Sequence, residues 1–213
     1  MEFDFTKLAP ADRYKLLGSS VTPRPIAWIT SQSANGVRNA APFSFFNVMG
    51  ANPPIVALGL MRRPDGTHKD TPANILETGE FVLHLVSHAM AAAMNLTCID
   101  APPAYDEIDM AGLATVPSSL VTPPRLADAP VAMECKLLQA IEAGTATIVL
   151  GQVERFHIAD AFIDAERLHV DTLGMDLIAR MHGGGWYARQ TDLFEMPRPQ
   201  FKDWQAQHET SSE

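Results

Sequence analysis

Short runs of apolar and β-branched residues recur along the chain, and most are separated by glycine, proline or asparagine. Such runs are typical of β-strands bounded by turns. The first run, 26–32, is followed by Asn35-Gly36, a dipeptide that favours a tight hairpin, and then by a second run over 37–43. The pattern therefore predicts an antiparallel hairpin early in the chain.

Later runs extend the same pattern. Residues 54–60 are almost continuously apolar, which predicts a strand buried on both faces. Residues 80–86 predict another strand. Two long strands, over 131–141 and 145–157, flank the turn Glu142-Ala143-Gly144, and a last strand follows the glycine-rich segment 182–187.

Helical signals are fewer. Residues 11–18 and 88–97 predict helices, and the amphipathic stretch 165–180 is expected to be partly helical. Thr71 can cap a further helix that has Pro72 at its first position and stops at Gly79.

The rest of the chain has weaker patterns. Segment 100–130 is rich in proline and predicts a surface excursion with a small helix near 109–113. Many strands with few helices predict a mainly β protein, a closed antiparallel barrel with peripheral helices. We expect one domain over residues 1–197, followed by a polar tail over 198–213 that is frayed at its end.

Composition narrows the function classes. The 213 residues are 46% hydrophobic and carry a net charge of −9, which opposes binding to nucleic acid or anionic lipid. The acidic N-terminus lacks the apolar core of a signal peptide, and no apolar run reaches the ~18 residues of a membrane span. We expect a cytoplasmic protein, in which Cys98 and Cys135 are reduced core thiols rather than a single bridge.

Segment 39–47, Asn-Ala-Ala-Pro-Phe-Ser-Phe-Phe-Asn, has more polar and aromatic side chains than a core strand needs. A flat ring with one polar and one apolar edge suits it, with Ser44 and Asn47 near the polar edge and Phe45 or Phe46 on the other. Backbone N–H groups of residues 44–47 would then stabilise negative charge on the reduced ring.

A second group of residues suits a phosphate. Lys69 and Thr71 stand at the expected start of a helix, where free N–H groups attract anions, and Asn74 and Arg63 lie nearby. The alternative is a solvated basic loop followed by an ordinary cap. Other residues leave two interpretations open: Thr30 and Ser31 as turn hydroxyls or ligand contacts, and Trp28 as a core or ring-flanking residue.

Other motifs are absent or out of context. His182 before three glycines resembles the oxyanion loop of esterases, but the sequence has no GxSxG, so a cofactor-free hydrolase is the weaker hypothesis. His84 and His88 lack the HExxH pattern, and we expect no metal. Without GxGxxG or a Walker A motif, a nicotinamide coenzyme would not be held by a Rossmann domain.

The ordered set of motifs resembles one family, the flavin reductase-like, FMN-binding split-barrel proteins, in the branch that includes flavoredoxin. The resemblance extends over about residues 15–190 and rests on five segments: 23–31, 41–47, Lys69-Asp70-Thr71 with Asn74, 77–82, and Gly183-Gly184 before Tyr187. It implies a Greek-key antiparallel split barrel that forms a homodimer, with FMN near the subunit interface.

The resemblance also implies residue roles. Trp28, Thr30 and Ser31 would line the flavin, and the flavin ring would follow Ser44, Phe45, Phe46 and Asn47. The phosphate would contact Lys69, Thr71 and Asn74, with Arg63 as a weaker candidate. His182 and Gly183 would reach the flavin of the other subunit.

The implied function is that of an FMN-dependent oxidoreductase, with FMN rather than FAD and with NAD(P)H as co-substrate, which reduces flavin or a small acceptor. The alternative is a non-catalytic, FMN-binding electron carrier. No catalytic acid or base can be named, and neither the acceptor nor the choice between NADH and NADPH is indicated.

Overall fold

A computed structural model describes residues 1–209, and their side chains as far as residue 205. Five α-helices are present in this range: α1 (Pro10–Ser20), α2 (Asp70–Thr78), α3 (Ala91–Leu96), α4 (Glu107–Met110) and α5 (Phe201–Glu209). Short 3₁₀ helices lie at His88–Met90 and Asp160–Phe162.

Fourteen strands form the rest of the described regular structure, which confirms a mainly β protein. In chain order they are β1 (Arg24–Pro25), β2 (Ala27–Gln32), β3 (Arg38–Phe43), β4 (Phe46–Ala51), β5 (Pro54–Met61), β6 (Glu80–Leu85), β7 (Thr115–Val116), β8 (Arg125–Leu126), β9 (Val131–Ala143), β10 (Ala146–Ile158), β11 (Ile163–Asp164), β12 (His169–Val170), β13 (Ile178–Arg180) and β14 (Tyr187–Arg189).

Seven strands make the central sheet, in the order β3-β2-β6-β9-β10-β5-β4, and every pairing is antiparallel. The sheet curls so that β3 approaches β5, and the N–H of Gly59 donates to the carbonyl of Phe45 at 2.7 Å. A smaller sheet, β1-β13-β14, lies beside it. The predicted antiparallel barrel is therefore confirmed.

The core fills the concave side of this sheet. Phe81, Leu58 and Ile75 are fully buried there, so that α2 is held against the barrel by its apolar face. A second cluster surrounds Trp28 and brings α3 against β2 through Met94. Phe43, at the end of β3 that borders the candidate site, packs against the first cluster.

Hairpins were the best predicted elements. The β2–β3 hairpin turns at Asn35-Gly36, and Gly36 has a φ of 84°, which suits glycine. The long β9–β10 hairpin is also confirmed, with Gly144 at a φ of 61° in its turn. The end of α2 at Gly79, with a φ of 73°, is confirmed as well.

Other predictions were wrong. Strand β5 is not buried on both faces; its residues alternate between buried and partly exposed, because it faces the core on one side only. Strand β4 was missed, since the sequence of Phe46–Ala51 is too mixed to suggest a strand. Segment 165–180 forms turns and short strands instead of a helix.

The C-terminal part also differs from expectation. Residues 201–209 form helix α5, which was not predicted, while the domain boundary at residue 197 and the fraying at the end of the tail stay predictions. Residues 210–213 lie outside the described residues. Among the helices that the structure describes, none is long and apolar enough to cross a membrane.

Candidate functional site

Strand β3 ends in a groove made of three adjoining cavities, each of which is lined by Pro42 and Phe43. We call this the β3 groove. The cavities have volumes of about 200, 140 and 300 Å³. Because β3 is the last strand at its end of the sheet, one side of its backbone has no strand partner in that sheet. A polar-edged ligand can therefore lie along it.

The 140 Å³ cavity, the Lys69 cavity, lies at the start of α2 and is rich in charge. Lys69 is the N-cap residue of α2, and its Nζ lies 2.6 Å from Oδ1 of Asp100. Arg63 pairs with Asp70 at 3.2 Å and donates to the backbone carbonyl of His68. Both cations thus approach the cavity with a carboxylate already beside them.

Thr71 does not cap α2, which corrects the prediction. It lies inside the helix, is buried, and its hydroxyl accepts a hydrogen bond from Nδ2 of Asn39 at 2.8 Å. The same Asn39 amide donates to Oγ of Ser31 at 3.2 Å, and Nδ2 of Asn74 donates to that oxygen at 3.1 Å. This buried polar network joins β2, β3 and α2 directly behind the Lys69 cavity.

Trp28 and Thr30 are fully buried, and their polar atoms are bonded within the protein. The indole N–H of Trp28 donates to Oγ1 of Thr97 at 3.0 Å, and the Thr30 hydroxyl donates to the carbonyl of Pro124 at 2.6 Å. The structure therefore places both side chains behind the groove. Their contact with a flavin, like that of Ser31, stays a prediction.

Residues 44–47 divide between two faces. Ser44 lines two cavities of the groove, and its Oγ accepts from Nε of Arg24 at 3.3 Å. Phe45 also lines the 300 Å³ cavity of the groove, whereas Phe46 and Asn47 line only a further apolar cavity of about 500 Å³, to which all four residues contribute. The structure thus brings Ser44, Phe45, Lys69, Thr71 and Arg63 to the groove, but not Phe46 or Asn47.

His182 and Gly183 lie in the exposed turn between β13 and β14. The His182 ring lies 5.6 Å from the Trp186 ring, and its Nδ1 contacts the carbonyl of Gly183 at 3.2 Å. Neither residue lines any of the cavities described here. Their proposed reach into another subunit stays a prediction.

Sequence reasoning did not place several lining residues in the groove, among them Tyr14, Cys98, Arg180 and Tyr187. They come from α1, the end of α3 and the β13–β14 hairpin, and no local motif links these segments. Desolvation raises the pKa of the Cys98 thiol above its usual range, which disfavours the reactive thiolate.

Glu107 is a further residue that the sequence did not indicate. It is buried at the start of α4, where one carboxylate oxygen accepts from the N–H of Ala40 at 3.3 Å. Burial raises the pKa of Glu107. Since it lines the Lys69 cavity, its charge would oppose an anion there unless it is protonated.

Within the described residues, no group of three or more histidine, cysteine, aspartate or glutamate side chains could hold a metal ion. The arrangement can instead hold a flat molecule along Pro42–Ser44, with an anionic group at Lys69.

Comparison with known proteins adds to this geometry. A family model for the flavin reductase like domain matches residues 18–172. An uncharacterized protein of Deinococcus radiodurans is 43% identical over 216 residues, which cover 99% of this chain and 95% of that protein.

Several solved structures are similar to this chain in fold. Nitrilotriacetate monooxygenase component B from Bacillus cereus is 35% identical, with a TM-score of 0.88 over 92% of this chain and 98% of that one. The 2-nitrobenzoate 2-nitroreductase NbaA from Pseudomonas fluorescens is 34% identical, with a TM-score of 0.85 over 94% and 98% of the two chains. A split barrel domain protein from Shewanella frigidimarina, 20% identical, shares the fold, with a TM-score of 0.79 over 93% and 100%.

Proposed function

This chain belongs to the flavin reductase-like domain family, and from that premise we propose that it is an FMN-dependent oxidoreductase that accepts hydride from NAD(P)H. The family and the names of similar proteins support a flavin-related oxidoreductase. The observation that carries the choice of FMN is the β3 groove, which ends in a cation at a helix N-terminus.

The groove fits the parts of FMN in order. Its apolar wall, from Pro42 and Phe43, suits the ring system, and the free side of β3 suits the polar ring edge. At the far end, Lys69 Nζ and the first N–H groups of α2 suit a phosphate. Arg63 is close enough to contribute charge once its pairing with Asp70 is relaxed.

Bound FMN would supply the hydride and one-electron chemistry. The chain's own residues would bind, orient and shield it. Ser31, Asn39, Asn74 and Thr71 would hold the Lys69 cavity in shape, since each of their polar side chains is bonded to another member of the set. Backbone N–H groups near Ser44 would stabilise negative charge on the reduced ring.

Similar proteins support turnover rather than storage alone. Among them are a monooxygenase component and a nitroreductase, at 35% and 34% identity over nearly their whole length. We therefore propose reduction of a flavin or a small acceptor by this chain in the cytoplasm, with NAD(P)H as electron donor.

We also propose a homodimer. The apolar cavity of about 500 Å³ is bordered by residues that are exposed in the single chain, among them Leu17, Val21 and Met49, which are 50%, 62% and 60% exposed. Val48 beside them is 58% exposed. A contiguous apolar surface of this kind favours association with another protein surface.

The test of function is anaerobic stopped-flow mixing of flavin-loaded protein with NADH or NADPH. Bleaching of the flavin absorbance within seconds supports an oxidoreductase. Bleaching by dithionite, but by neither nicotinamide, supports the alternative of an electron carrier. A protein that binds no FMN at micromolar concentration contradicts both.

Mass analysis of the molecule released from purified protein distinguishes FMN from FAD. Esterase activity in a colourless protein would instead favour the hydrolase hypothesis. Sedimentation of flavin-loaded protein tests the homodimer, which a clean monomer that retains flavin would contradict.

A further inference from the structure

One cavity of the β3 groove, of about 200 Å³, is not used by the FMN proposal. We call it the Arg180 cavity. Its wall combines apolar side chains with one charged group and two phenols; its lining residues are Tyr14, Ile26, Pro42, Phe43, Ser44, Met94, Cys98, Arg180 and Tyr187.

Arg180 is the one charged residue in this lining. It lies at the end of β13, partly buried, with its guanidinium carbon 4.7 Å from the centre of the Tyr187 ring. In the part of the chain that the structure describes, no carboxylate forms an ion pair with it.

Three other arginines in this region pair with carboxylates or donate hydrogen bonds within the protein. Arg63 pairs with Asp70 and Arg38 with Asp106 and Asp109. Arg24 donates to backbone carbonyls of Gly18 and Val21. Unlike Arg24, Arg180 has neither a carboxylate nor a side-chain hydrogen-bond acceptor among the described residues, and in a chain with a net charge of −9 such a partly buried guanidinium calls for a ligand.

The rest of the wall indicates the kind of ligand. The phenol groups of Tyr14 and Tyr187 form no hydrogen bond among the described residues, so both can donate to an anion. Pro42 and Phe43, which are partly exposed, supply an apolar surface in the same lining, beside the nearly buried Ile26 and Met94. A planar guanidinium binds a carboxylate through two parallel hydrogen bonds, and the apolar surface suits an aromatic ring.

We propose that the Arg180 cavity binds a small aromatic carboxylate, of the size of benzoate, and that Arg180 determines its specificity. The proposal rests on the proposed function in one respect: Pro42–Ser44, which would follow the flavin, also forms one wall of this cavity. The acid would therefore lie next to the flavin ring.

A phosphate of a nicotinamide dinucleotide is the competing ligand. A phosphate fits this cavity less well, because it gains nothing from the apolar surface of Pro42 and Phe43. The experiment must nevertheless separate the two.

The test is calorimetric titration of flavin-loaded protein with benzoate and with benzamide, which has the same shape without the charge. We expect benzoate to bind about tenfold more tightly than benzamide. Arg180→Gln should abolish that difference by weakening benzoate binding alone. Arg180→Lys keeps the charge but not the planar guanidinium, so its affinity for benzoate should lie between those of the wild type and Arg180→Gln.

Arg167→Gln is the matched control, since it removes an equal charge from an exposed turn and should leave the preference for benzoate intact. Equal benzoate affinity in wild type and Arg180→Gln would overturn the proposal. So would a raised NADPH dissociation constant in Arg180→Gln without any change in benzoate binding.

Flavin affinity is measured separately for each variant. If the wild type binds no flavin, the proposed function fails, but the same titrations on flavin-free protein still test the cavity. The outcomes for the two proposals are thus distinguishable.

Discussion

Lys69 and Asp100 form an ion pair at the mouth of the β3 groove, with 2.6 Å between Nζ and Oδ1. The hydrogen bond from Lys69 lowers the pKa of Asp100, so the carboxylate stays ionised at neutral pH. The ammonium that we assign to the phosphate of FMN is therefore shared with a carboxylate of the same chain.

Lys69→Ala should weaken FMN binding about tenfold or more, because it removes a charge-assisted hydrogen bond to the phosphate. Riboflavin lacks the phosphate, and its affinity should change less than twofold. Fluorescence titration with both flavins measures the difference. Lys136→Ala, at an exposed position of β9, is the control and should affect neither. Equal losses for FMN and riboflavin would show that Lys69 is not at the phosphate.

Asp100→Asn should have the opposite effect. It releases Lys69 from its present partner and removes a charge that repels phosphate. Because the pair is largely exposed, with Asp100 at 79%, the gain should be modest, a two- to fivefold lower FMN dissociation constant, about what an exposed ion pair is worth. A higher salt concentration should reduce this gain in FMN affinity, and the substitution should leave the affinity for riboflavin unchanged. Weaker FMN binding in this variant would mean that Asp100 holds Lys69 in its binding position.

Local signals account for what the sequence predicted well. A tight turn favours residues such as Asn35-Gly36, and a helix end favours a glycine such as Gly79. Both features can therefore be recognised from a few residues of sequence. The start of α2 was predicted from Thr71 and Pro72 to within two residues, although Lys69 rather than Thr71 is the N-cap residue.

The burial of side chains was less predictable. The sequence left Trp28 open between core and ligand, and only the packing of α3 against β2 shows that its indole is bonded to Thr97. Arg180 and Cys98 meet Pro42 because three distant segments converge there. No motif or residue spacing in the sequence indicates that these segments lie close together.

Ser31→Ala tests the buried network behind the groove. The substitution leaves the Asn74 amide without its acceptor and removes one of two acceptors from Asn39. An unsatisfied buried donor costs about 1–3 kcal/mol of the free energy of unfolding. Urea denaturation measures the loss.

Ser19→Ala, at an exposed position of α1, should change the free energy of unfolding by less than about 0.5 kcal/mol. If Ser31→Ala proves as stable as this control, the network does not support the fold.

Gly151→Ala tests the packing of the barrel interior. A Cβ at this position of β10 would lie 2.9 Å from Cε1 of Phe81 and closer still to its Cζ. Phe81 is fully buried and cannot move without disturbing the core, so we expect a loss of about 1–3 kcal/mol in the free energy of unfolding. Gly183→Ala is the control, because no atom lies within 4 Å of the added carbon. A shift in thermal midpoint no larger than that of the control would contradict this close contact.

His84 joins three segments of the barrel. Its Nδ1 donates to the carbonyl of Trp28 at 2.9 Å, and its Nε2 accepts from the N–H of Leu126 at 3.0 Å. The second bond requires an unprotonated Nε2. Burial lowers the pKa of His84 to about 4, and the nearby charges of Arg125 and His157 act in the same direction.

Acid should therefore destabilise the protein through His84 well above the range in which most carboxylates titrate. In the unfolded chain this histidine has a pKa of about 6.5, whereas in the folded state its pKa is about 4. Between these two values the unfolded chain therefore binds a proton that the folded protein does not. The stabilising contribution of this histidine is complete above pH 6.5 and is lost as the pH falls toward 4, with about 2 kcal/mol lost between pH 7 and pH 5. Urea denaturation across this range should show a shallower pH dependence for His84→Gln than for wild type. His169→Gln, at an exposed position, should keep the wild-type slope. Parallel curves for His84→Gln and wild type would show that the buried ring does not titrate between these limits.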